Sequence, residues 1–99
     1  QSIPEITKKI TSFGDPKVVI LSGIFIEKDT PVDLLIVGQV DREKLTKSLN
    51  NELSFKRPVK FTIMTQEDFE YRLKCNDKFV STIMSDPDNL IPVKKLDSL

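Results

Sequence analysis

The chain has 99 residues, enough for a single domain with one modest core, since at this size folding buries somewhat over ~60% of the unfolded surface. Its 15 Lys and Arg balance 15 Asp and Glu, so no global field draws it onto nucleic acid or an anionic membrane. One cysteine and no histidine exclude an internal disulfide, a Cys/His zinc site and a Cys–His nucleophile pair. No apolar run approaches the ~18 residues of a membrane span and no charged-then-apolar leader opens the chain, which predicts a soluble intracellular protein without membrane contact. Because it starts at Gln1 rather than methionine, the chain is expected to be a piece of a longer one, with residues 1–99 forming one domain.

Ser2-Ile3-Pro4-Glu5 has the spacing of a capping box, with proline tolerated in the first turn. Ile3, Ile6, Ile10 and Phe13 then recur at intervals of three and four, predicting a helix over Pro4 to Ser12 that Gly14 and Asp15-Pro16 stop. Val18-Val19-Ile20-Leu21 reads as a strand, Ser22-Gly23 as a kink, and Ile24-Phe25-Ile26 as extended chain beyond it. A charged turn, Glu27-Lys28-Asp29-Thr30-Pro31, leads into Val32-Asp33-Leu34-Leu35-Ile36-Val37-Gly38. An apolar run without alternation reads as a strand covered on both faces, although periodicity alone does not separate it from a buried helical turn. We take it as the central strand. The connector before it is too short for a parallel crossover, which predicts that these two strands are antiparallel neighbours. Asp33 is the one polar residue in the run, and an ionised carboxylate needs either the open end of the strand or a partner.

Asp41 is a candidate N-cap, and Leu45, Leu49 and Leu53 form a seam along a helix predicted from Arg42 to Leu53. After Lys56-Arg57-Pro58, the residues Val59, Phe61 and Ile63 alternate with Lys60, Thr62 and Met64, as in a strand with one core face and one partly wet face. Thr65 caps a short helix to Lys74, and Asn76-Asp77 caps another that carries Phe79, Val80, Ile83 and Met84. Asp86-Pro87-Asp88-Asn89 is a turn, Leu90-Ile91-Pro92-Val93 a short edge strand, and the last six residues read as frayed. The predicted class is α+β: a mixed sheet of about four strands covered by helices.

Val19 to Gly38 resembles the core of the minimal nucleotidyltransferase domains of the DNA polymerase β-like superfamily. In that family Gly-Ser ends one strand, Asp-x-Asp starts the next, and a Leu/Ile/Val run continues to a glycine. Downstream, Val59-Lys60-Phe61-Thr62-Ile63-Met64-Thr65-Gln66-Glu67-Asp68-Phe69-Glu70-Tyr71-Arg72 resembles the version found behind a winged helix-turn-helix in prokaryotic transcriptional regulators. The resemblance covers Phe13 to Val93 and rests on the order of the elements. It implies a prokaryotic cytoplasmic setting and an attached DNA-binding module, with no direct nucleic-acid contact expected from this domain.

The chemistry of that family needs two divalent ions held by carboxylates from neighbouring strands. Here Asp33 matches the second acid, Pro31 stands at the first, and the strand from Val59 to Met64 has no carboxylate for the third. Ser22-Gly23 inverts the Gly-Ser order. Asp33, Ser22 and Gly23 are therefore expected to be vestigial, with Asp33 hydrogen-bonded to turn amides as a structural acid. Glu27 and Asp29 are poor substitutes on a loop, and Lys56, Arg57 and Lys60 are expected to form a solvated face rather than a phosphate site. Cys75 is expected to be buried or inert. The function expected is a non-catalytic regulatory or interaction domain without cofactor, with a protein partner or self-association. The alternatives are an active transferase using magnesium and a nucleoside triphosphate, and a ligand-free dimerisation domain joined through the strand Leu90 to Val93.

Overall fold

The computed structural model describes residues 2–97 and residue 99. Its elements run α1 (Ile3–Thr11), β1 (Gly14–Leu21), β2 (Leu34–Val40), α2 (Arg42–Lys47), β3 (Phe61–Met64), α3 (Gln66–Lys74), α4 (Lys78–Met84) and β4 (Leu90–Lys94). The four strands make one mixed sheet in the order β3-β2-β1-β4. β1 is antiparallel to both β2 and β4, whereas β2 and β3 are parallel. Leu21 lies opposite Leu34 and Leu90, and Leu34 opposite Phe61, so the end of β1 meets the starts of the other three strands.

Both faces of the sheet are covered. Leu34 and Ile36 of β2 pack with Ile6 and Ile10 of α1 and with Leu45 of α2. Leu35 and Val37 face the other way, onto Phe69 of α3 and onto Val80 and Ile83 of α4. The unbroken apolar run is thus a central strand with a core on each side, as its lack of alternation predicts.

The helix caps follow the predicted chemistry. Ser2, Asp41, Thr65 and Asp77 each accept a hydrogen bond from the backbone amide three residues on, at Glu5, Lys44, Asp68 and Val80.

Several expected features differ. β1 starts at Gly14 and runs through Pro16, which its ladder tolerates because the register slips between Pro16 and Val18. Ile24 to Ile26 is not extended. Gly23 has φ +47° and opens a 3-10 turn over Gly23–Phe25, which Phe25 N closes onto Ser22 O at 2.9 Å. The helix after Asp41 is α-helical only to Lys47 and widens into a π-helical segment, Ser48–Glu52, with Leu53 N bonded to Ser48 O at 3.1 Å. β3 starts at Phe61 rather than Val59, and its most buried residue is Met64 on the face expected to be wet, because α3 and α4 pack there. The tail is tied down rather than frayed: Lys94 belongs to β4, Lys95 N donates to Lys17 O at 2.7 Å, and Leu96 is buried beneath α3 and α4. Ser98, also in the predicted frayed stretch, lies outside the described residues. Cys75, expected to be buried or inert, is exposed at the end of α3, which overturns the first of those two readings.

Candidate functional site

The end of the sheet where β1 stops and β2, β3 and β4 start gathers Ser22, Gly23 and Asp33, the residues singled out from the sequence. Asp33 is 1% exposed, immediately before β2. β3 is parallel to β2, so the segment leading into β3 arrives at this same end and brings Arg57 and Lys60 beside the carboxylate.

Four donors hold Asp33. Its Oδ1 accepts from Ile24 N at 2.8 Å and Arg57 Nη2 at 2.7 Å. Its Oδ2 accepts from Arg57 Nη1 at 2.6 Å and Lys60 N at 2.8 Å. A carboxylate offers about four lone-pair sites, and each here has a donor. Burial alone would push the Asp33 carboxyl up, but the Arg57 hydrogen bonds, the Lys60 and Ile24 amides and the Arg57 charge together hold it below the usual carboxylate range. The Arg57 guanidinium is pushed up in turn by its hydrogen bonds to Asp33.

Gly23 makes the turn compatible with this acid. A Cβ on Gly23 would lie 2.1 Å from Asp33 Oδ1, so the close approach and the positive φ both require glycine. Ser22 is buried; its N donates to Asp33 O at 2.8 Å and its Oγ to Thr30 Oγ1 at 3.2 Å. Thr30 Oγ1 then donates to Val32 O at 2.9 Å. Ser22-Gly23 thus directs the Ile24 amide onto the protein's own carboxylate. A bond from a turn amide was expected for Asp33 and is present from Ile24 N; the bonds from Arg57 and Lys60 N were not expected.

The other candidates are placed differently. Glu27 and Asp29 line an open cleft of about 860 Å³ together with Ile24, Phe55, Lys56 and Arg57. Lys28, from the same loop, reaches Asp86 at 2.9 Å and Asp88 at 2.7 Å, tying the loop to the turn before β4. Lys56, Arg57 and Lys60 do not act as a common cationic patch: the Arg57 guanidinium is turned onto Asp33, and Lys60 contributes its backbone amide. Among the described residues no group of three acidic or sulfur side chains is close enough to hold a metal ion.

Arg57 is the residue that reading the sequence missed as the partner of Asp33. The available signal was an arginine in the approach to the third strand, but using it requires knowing that this strand runs parallel to the second.

No helix among the described residues is long and apolar enough to cross a membrane. No protein-family model, curated protein or solved structure matches this chain.

Proposed function

We propose that the chain is a nucleotidyltransferase-like domain of the minimal type whose metal centre has been replaced by an internal ion pair, and that it works as a non-catalytic regulatory or protein-interaction module. The observation that carries this reading is the saturation of Asp33, whose lone pairs are taken by Arg57, Ile24 and Lys60. An acid so engaged has no free oxygen for a hard cation, and its depressed pKa makes it a poor base for a substrate hydroxyl. Arg57 supplies the positive charge that a divalent ion would bring. The attachment to a DNA-binding module in a prokaryotic regulator is proposed on the resemblance alone.

The test is a thermal melt with magnesium or manganese and each nucleoside triphosphate, alongside an assay for labelled nucleotide transfer to a hydroxyl acceptor. A ligand at ~100 times its Kd would add ~2.7 kcal/mol, a rise in Tm of roughly 10–20 °C at this chain length. The expected result is no rise and no transfer. A rise of that order or transferred label overturns the reading.

A further inference from the structure

The two edges of the sheet differ in how they meet solvent. β4 carries Pro92, which has no N–H, and its register with β1 slips between Val19 and Leu21; Leu90 and Ile91 are exposed on it. Proline and a bulge are standard means of blunting an edge, so β4 is poorly made for pairing. β3 has neither. Its four residues, Phe61-Thr62-Ile63-Met64, are uncharged, the first three are β-prone, and no strand lies beyond it among the described residues.

The hydrogen bonds of Lys60 fix the orientation of this edge. Lys60 O accepts from Leu34 N at 3.2 Å and Lys60 N donates to Asp33 Oδ2 at 2.8 Å, so the peptide groups of Lys60 point towards β2. Backbone groups alternate along a strand, which turns those of Thr62 and Met64 towards β2 and those of Phe61 and Ile63 outward. Arg42 lies 5.2 Å over the Phe61 ring, so that side chain is already engaged within the chain.

We infer that this edge pairs with β3 of a second copy of the chain, antiparallel, about a two-fold axis at Thr62. In that register Phe61 faces Ile63 of the other copy and Ile63 faces its Phe61. Both are outward-pointing residues, so each pair exchanges N–H and C=O bonds, about four in all. Thr62 meets its own copy in the non-hydrogen-bonded position, a favourable pairing for threonines. Charge favours the antiparallel arrangement. Arg57 is held by Asp33 and Asp68 pairs with Arg72, so the exposed charges flanking β3 are Lys56 and Lys60 before it and Glu67 in the first turn of α3, and antiparallel pairing sets the basic approach of one strand near the acidic exit of the other. A parallel pairing would set like beside like. The strands are short and bury well under the ~1,200 Å² of a standard interface, so association is weak, with dissociation on the order of 100 µM. This deepens the interaction-module reading by naming its partner and uses residues distinct from the Asp33 centre. Ligand melts therefore report on that reading, and self-association on this one.

Sedimentation from ~10 µM to ~1 mM tests the pairing, a range that brackets the expected dissociation constant. The wild type shifts from monomer to dimer, and over the same range the Phe61 and Ile63 amides become slower to exchange with deuterium, while those of Thr62 and Met64 are protected throughout. Thr62→Lys and Thr62→Glu each abolish the dimer by facing like charges across the axis, and an equimolar mixture of the two restores it. Ile91→Lys, on the other edge, leaves it intact. A wild type that stays monomeric at ~1 mM overturns the inference, as does a dimer that survives Thr62→Lys or is lost with Ile91→Lys. Should the Thr62 variants fail to fold, the wild-type exchange decides alone: unchanged Phe61 and Ile63 amides across the series overturn the pairing.

Discussion

Replacing Asp33 with asparagine keeps the side-chain shape and reverses one half of its hydrogen bonding. Asparagine has one acceptor oxygen and an NH2 group, so wherever the amide settles it points a donor at two of the four donors now aimed at the carboxylate. Arg57 is 42% exposed on its side chain and can turn to water, so its loss is largely offset by hydration. The Ile24 and Lys60 amides are fixed by the turn and by the start of β3. A buried donor left unsatisfied costs about 1–3 kcal/mol, and losing a charge-assisted bond adds a similar amount. The expected destabilisation is therefore about 3 kcal/mol, a fall in Tm of roughly 15 °C for a chain of this length. Urea and thermal melts followed by circular dichroism measure it.

The same variant has a pH signature. The folded pKa of Asp33 is depressed, so its contribution is fully present above the unfolded value of about 3.9 and is lost as the pH falls through the folded value. The stability gap between wild type and Asp33→Asn should be constant from neutral pH to about pH 5 and should narrow below pH 4. A gap under ~1 kcal/mol at neutral pH, below the cost of even one orphaned donor, would refute the argument. A gap unchanged by acid would refute its electrostatic part.

Gly23→Ala should destabilise by at least ~2 kcal/mol in a urea melt, because it adds backbone strain to a collision with Asp33 Oδ1. Ser48 is fully buried and its Oγ has no hydrogen-bond partner among the described residues. Ser48→Ala should therefore leave stability unchanged or raise it by up to ~1 kcal/mol, and a clear loss in the same melt would mean that the hydroxyl is satisfied in solution. Phe69 of α3 fills the core between the sheet and α4 at 0% exposure, so Phe69→Ala should cost about 3–5 kcal/mol and lower the urea midpoint accordingly.

The sequence by itself determined the parts of this fold that depend on neighbours along the chain. The caps at Ser2, Asp41, Thr65 and Asp77 are legible because each joins residues three apart. Coverage on both sides is legible for Leu34 to Val37 because that run is apolar at every position. Its antiparallel pairing to β1 is legible because the connector is too short for anything else. The need of Asp33 for a partner follows from the cost of burying a charge.

Tertiary structure decided which partner. Arg57 lies 24 positions away from Asp33 and reaches it only because α2 carries the chain over one face of the sheet to bring β3 in parallel to β2. The same topology placed β3 at one edge of the sheet and β4 at the other. The 3-10 turn after Ser22 depended on a contact between a glycine and a carboxylate ten positions later, and the burial of Met64 and Leu96 on helices whose placement no local pattern encodes. Contacts of this kind form between residues whose types are individually unremarkable, so their physical signal exists only once the strands have been ordered.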